Sequence, residues 1–185
     1  MLWIIWVIIC IEIVVIIWVS QYFIKNILMI FNIHDILPFI PTSKKSIRAI
    51  IDSDILNGKK MIVDLGSGTG TMLAVIRKKY PNATLIGVEK KLFLVLCSRI
   101  RFLFSGKNKP LFICGDLFDY SVTKADAIVG FWITSMMPQL LRKFETECKK
   151  GSVITSNWFA LPESPQFTQQ NVVVGNRKIW MYVKQ

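Results

Sequence analysis

A strand-forming run that breaks into a triple-glycine turn constrains this chain more than any other feature. Lys60 to Leu65 is β-rich and leads straight into Gly66-Ser67-Gly68-Thr69-Gly70, after which Thr71 to Lys79 sets Met72, Leu73, Val75 and Ile76 at helical spacing. Glycines let the backbone turn tightly and approach a ligand, and the N-terminus of the following helix favours an anionic group. Thr84 to Val88 is the next strand, and Glu89 at its end falls 19 residues after Gly70. A carboxylate there can accept hydrogen bonds from both hydroxyls of a ribose. The glycines alone are a weak signal. Strand, loop, helix, strand and terminal acid together are a strong one.

The rest of the chain repeats the alternation. Pro38-Phe39-Ile40-Pro41-Thr42-Ser43 is a rigid, extended lead-in, and Thr42 or Ser43 can cap the helix predicted over Lys44 to Ile55. Further helices are predicted over Leu92 to Phe104 and Pro138 to Lys149, and strands over Pro110 to Cys114, Ala127 to Phe131 and Ser152 to Ser156. Two last β-rich runs, Asn171 to Val174 and Lys178 to Val183, are joined by Gly175-Asn176, a hairpin signal. The fold class is α/β, a doubly wound sheet with an antiparallel edge.

Ahead of this domain the composition changes. Leu2 to Phe23 is about 22 residues, or roughly 33 Å of helix, enough for a bilayer core. Its only charge up to Val19 is Glu12, and Trp3 and Trp6 lie near one end with Trp18 and Tyr22 near the other. The expectation is a transmembrane anchor at 1–24, an amphipathic connector with His34 at 25–40 and a domain at 41–185. Lys25, Lys44, Lys45 and Arg48 all follow the span, which puts the domain on the cytoplasmic side of a single-pass membrane protein. Four scattered cysteines without a CxxC pair exclude a disulfide scaffold, and with one histidine no metal site is expected. The net charge of +11 suits an anionic lipid surface; with no RNA-module motif, nucleic acid is an unlikely partner.

Two cofactor classes use such a loop. Dinucleotide enzymes prefer GxGxxG/A, whereas here the third glycine comes one place early. Val63-Asp64-Leu65-Gly66-Ser67-Gly68-Thr69-Gly70 resembles motif I of class I S-adenosylmethionine (SAM)-dependent methyltransferases. That resemblance implies a Rossmann-like, seven-stranded methyltransferase sheet with a C-terminal hairpin. It places Asp64 near the methionine ammonium, Glu89 on the ribose, and Asp116-Leu117 at the adenine. It also makes Thr42, Gly66, Ser67, Gly68 and Gly70 part of the cofactor site.

The lead-in Pro38 to Ser43, Gly87-Val88-Glu89, Met136-Met137 and Trp158-Phe159-Ala160-Leu161-Pro162 narrow the likeness. They resemble the small protein-lysine methyltransferases related to the archaeal broad-specificity enzyme, whose mitochondrial members modify the c-subunit of ATP synthase. Thr69 departs from the Gly-x-Gly-Asp-Gly of many relatives. No [DN]PP[YF] follows the fourth strand and no Pro-Cys pair occurs, which argues against amide, adenine or cytosine methylation.

Phe131 and Trp132 after the fourth strand, and Trp158 and Phe159 after the fifth, stand where ligands bind in open α/β sheets. They are the candidate substrate pocket. The expected function is membrane-anchored methyl transfer to lysines of membrane or membrane-associated proteins, on the matrix side of the inner mitochondrial membrane in a eukaryote. A lipid or small-molecule methyltransferase and a catalytically silent SAM-binding module are the alternatives; the pattern carries no signal of oligomeric state.

Overall fold

The computed structural model describes residues 2–30, 43–106 and 108–185. The chain divides into two compact units, Met1–Phe39 and Ile40–Gln185. In the first, helix α1 (Leu2–Ile30) is continuous, so no break separates the expected anchor from the start of the expected connector. Residues 31–42, including His34, the Pro38 to Pro41 lead-in and Thr42, lie outside the described residues. Among the described residues no helix is long and apolar enough to cross a membrane.

The second unit alternates as the sequence predicts: α2 (Lys44–Asp52), β1 (Met61–Leu65), α3 (Thr71–Lys79), β2 (Thr84–Glu89), α4 (Leu92–Arg101), β3 (Leu111–Cys114), β4 (Ala127–Gly130), α5 (Met137–Glu147), β5 (Val153–Asn157), β6 (Phe167–Val174) and β7 (Arg177–Lys184). Ser43 caps α2, its hydroxyl accepting from the Ser46 N–H at 3.1 Å. Strand β6 starts at Phe167, before the predicted Asn171, because Thr168 to Asn171 are exposed on an edge strand and show no apolar alternation.

The seven strands form one sheet in the order β3-β2-β1-β4-β5-β7-β6. Strands β3, β2, β1, β4 and β5 are mutually parallel, and β7 is antiparallel to both β5 and β6. The strand order reverses between β1 and β4, the switch point at which open sheets bind ligands beyond the strands' carboxyl ends. Ile47, Ile50, Leu73, Ile76, Val95 and Phe102 of the α2–α4 side pack in one core cluster. Trp132, Met137, Leu140 and Phe144 of the α5 side pack in another. Both faces are covered, so the central strands read as continuous apolar runs.

Candidate active site

The loop after β1 is tied to the strand beside it. Gly66 and Ser67 both donate their N–H groups to the Val88 carbonyl, at 2.8 and 3.0 Å. Gly66, Gly68 and Gly70 all have positive φ, at 85°, 53° and 73°, a region that side chains rarely adopt. Gly70 carries a second constraint, since a Cβ there would lie 2.7 Å from the Phe112 ring. Gly68 donates its N–H to Glu89 Oε2 at 3.0 Å, and Lys91 donates to Oε1 at 3.0 Å. The Glu89 carbonyl accepts from Gly115 at 3.0 Å, which brings in the loop after β3. There Asp116 accepts from the Phe118 N–H at 2.9 Å and pairs with Lys90 at 3.1 Å, with half-buried Leu117 between. The Phe118 N–H, helped by Lys90, holds the Asp116 carboxyl below the usual carboxylate range. Asp64, Gly66, Ser67, Gly68, Gly70, Glu89, Asp116 and Leu117 thus share one edge of the sheet. Of the expected cofactor residues, only Thr42 lies outside the described ones.

Asp64 is the anomaly at that edge. It is 3% exposed, and burial followed by the charge of Glu89 pushes its pKa up to about 8. A buried carboxyl without a cation is unstable as an anion. Among the described residues the buried Ser67 hydroxyl has no hydrogen-bond partner.

The second half of the site lies beyond β4 and β5. Phe131 stands 6.3 Å from Trp158 and 6.4 Å from Phe159, and Trp158 stacks on Phe159 at 5.8 Å with planes 9° apart. The Arg177 guanidinium lies 4.8 Å above the Trp158 ring. Trp158 holds a φ of 85°, rare for so large a side chain, with its N–H donating to the Lys178 carbonyl at 2.8 Å. Trp132 corrects the expectation of a fourth pocket aromatic. It is 1% exposed, packs on Phe144 at 5.6 Å, and donates Nε1–H to the Leu65 carbonyl at 2.8 Å. A Cβ on Gly130 would overlap its ring. Trp132 therefore supports the glycine loop from inside the core.

Sequence reasoning missed two residues. Asp64 pairs in register with Val129, and Val129 with Thr155, so the three lie side by side; Asn157, two residues on, shares that face. Among the described residues the Thr155 hydroxyl and both polar atoms of the Asn157 amide are buried without partners. Such groups are rare, because each costs its full desolvation penalty. The available signal was Thr155-Ser156-Asn157 itself, three polar residues ending a buried strand.

A family model described as "ANTKMT methyltransferase domain" matches residues 64–168, more than half of the chain. The chain belongs to this methyltransferase family. The lysine N-methyltransferase of the ATP synthase c-subunit from Mus musculus is 28% identical over 149 residues, covering 79% of this chain and 58% of that protein. The chain thus spans less than two thirds of that relative's length. A protein-lysine N-methyltransferase of Saccharolobus islandicus is 24% identical over 131 residues, covering 68% of this chain and 78% of that one. An RNA methyltransferase from Salinibacter ruber, solved with S-adenosyl-L-homocysteine, shares the fold with a TM-score of 0.68. It is 21% identical and covers 79% of this chain and 95% of its own.

The cofactor of the family is SAM, and this domain's residues fit it. A buried carboxyl short of a cation, an unpartnered hydroxyl in the glycine loop and a strand-end carboxylate match an ammonium, polar linker atoms and a ribose diol.

Proposed function

We propose that this chain transfers methyl groups from SAM to lysine side chains of membrane or membrane-associated proteins. The observation that carries the reading is the pairing of two half-sites on one sheet edge. One is an acid-lined glycine loop; the other is the stacked trio Phe131, Trp158 and Phe159. The names of the mouse and archaeal relatives support lysine as the acceptor.

In this reading Asp64 holds the methionine ammonium, Glu89 the ribose and Asp116 with Leu117 the adenine edge. The backbone of Gly66 to Gly70 makes room for the cofactor. When bound, SAM supplies a methyl group on a sulfonium, open to in-line attack by an amine. The chain's task is then to align the amine and keep it neutral. Phe131, Trp158 and Phe159 exclude water and disfavour the charged ammonium. Arg177, fixed over Trp158, adds a like charge that pushes the same way. The unpartnered Asn157 amide, on the face shared with Asp64, can accept a hydrogen bond from the amine and turn its lone pair toward the methyl.

The proposed organisation is an anchor at 1–24, a connector at 25–40 and the catalytic domain at 41–185. The described side chains of α1 over 9–24 are exposed all round and, apart from Glu12, Ser20 and Gln21, uncharged and mostly apolar, which suits a lipid environment. The cations that follow favour the cytoplasmic side, or the matrix side in a mitochondrion.

The test is mass spectrometry of source-cell membranes incubated with the whole chain and methyl-labelled SAM. Label on lysines of a few proteins is the expected result. Label confined to extracted lipid would replace the protein substrate with a small one, and cofactor binding without label would mean a silent module.

A further inference from the structure

Helix α4 has a covered side and a bare side. Val95, Ser98 and Phe102 are buried against the sheet. Leu92, Leu96 and Ile100 follow one another every fourth residue along a different stripe, and Leu103 and Phe104 extend it past the helix end. All five are exposed, Ile100 to 70%, Leu103 to 58% and Phe104 to 93%. Scattered exposed apolar residues are ordinary, but a contiguous row marks a contact surface.

The charge around the row identifies what it contacts. Arg99 and Arg101 flank it on opposite sides of the helix, Arg99 held by the Phe112 carbonyl at 2.7 Å and Arg101 by the Thr71 hydroxyl at 2.9 Å. Lys109 stands beyond the far end, Lys90 at the near end is paired with Asp116 at 3.1 Å, and no Asp or Glu occurs in the sequence from Lys90 to Gly115. Large apolar side chains flanked by arginines, on a helix that itself carries no acid, are the composition of a helix lying in a membrane interface. Nucleic acid would engage the cations but leave the Leu, Ile and Phe side chains in water.

We propose that this face of α4 rests in the headgroup layer of an anionic bilayer, the apolar row inserted and the flanking arginines on the lipid phosphates. The inference does not depend on α1 spanning the membrane. Because α4 starts three residues after Glu89, a helix fixed in the interface also fixes the orientation of the cofactor edge to the membrane surface.

The whole chain carrying Phe104→Cys, assembled into nanodiscs of phosphatidylcholine with or without phosphatidylglycerol, tests this. A membrane-impermeant maleimide is added and labelling is read peptide by peptide, which separates residue 104 from the native cysteines. With the anionic lipid, labelling at 104 is expected to slow about tenfold relative to neutral discs, as for a side chain moved into the acyl boundary. A Ser121→Cys reference is expected to label at the same rate in both. Adding Ile100→Asp and Leu103→Asp is expected to restore fast labelling at 104. Equal rates at 104 in both discs would overturn the proposal and leave the α1 reading untouched if the chain still floats with the discs. Protection that appears in both lipids and fades on dilution of the protein would overturn it in favour of a second copy.

Discussion

Gly68 and Glu89 are 21 residues apart in sequence and joined at 3.0 Å, backbone N–H to carboxylate oxygen. That bond sets the glycine loop and the end of β2 as one rigid unit before any cofactor arrives. Glu89 closes the loop, and in the proposed function it has a second task, presenting its remaining acceptor capacity to a ribose. Hydrogen bonds to a charged group contribute about 1.5–3 kcal/mol each, so Glu89→Ala is expected to weaken SAM binding roughly ten- to a hundredfold or more. Isothermal calorimetry checks this; unchanged affinity would remove the cofactor assignment.

Asp64 makes stability depend on pH with a definite sign. The unfolded carboxyl titrates at 3.8 and the folded one at about 8. Between those values the folded chain holds the extra proton, so stability is full below the lower value and declines as pH rises through the upper one. Cofactor-free protein is expected to lose melting temperature between about pH 5 and pH 8, and Asp64→Asn is expected to lose much less. Proton release on SAM binding near neutrality, read by calorimetry in buffers of different ionisation heat, is the companion measurement.

Asn157 separates a functional group from a structural one. Its amide is buried with neither polar atom partnered among the described residues, so Asn157→Leu is expected to leave stability unchanged or raise it, by up to about 1–3 kcal/mol. The same variant is expected to cut turnover at least about tenfold with SAM affinity intact, the pattern of a group that acts on the acceptor. Thermal melts, calorimetry and steady-state kinetics on one preparation decide it.

Trp158 is held in a strained conformation, at a cost of order 1–3 kcal/mol. Trp158→Gly relieves the strain while removing the ring stacked on Phe159 and under Arg177. Methyl transfer is expected to fall about tenfold or more while the melting temperature moves only a few degrees, because relief and lost packing oppose each other. A collapse of the fold instead would make Trp158 a packing residue.

Trp132 gives the contrasting case. Trp132→Phe keeps most of the apolar volume but leaves the Leu65 carbonyl without its 2.8 Å donor. Urea denaturation is expected to show a loss of about 1–3 kcal/mol, with weaker SAM binding following from a looser loop. Full stability in this variant would show the bond to be dispensable.

The acid-flanked loop was legible because its chemistry is local: positive-φ glycines, a strand before, a helix after and Glu89 at a fixed spacing. The alternation of elements was legible because helices and buried strands impose different apolar periods. Phe131, Trp158 and Phe159 could be placed at strand ends, but their meeting at about 6 Å depends on β4 and β5 being neighbours. Trp132 has the same sequence setting as Phe131 and the opposite fate, since adjacent residues leaving a strand face different layers.

By itself, then, the sequence determined the α/β class, the glycine loop with its acids and the apolar N-terminal segment, because each is written in periodicity or in residues close along the chain. Tertiary structure decided what depends on register and burial. It brought Asp64, Thr155 and Asn157 onto one face, raised the Asp64 pKa by removing water, and turned Trp132 inward. It also left the α4 row bare. Long-range pairing sets which side chains lose their solvent, and no local pattern encodes that.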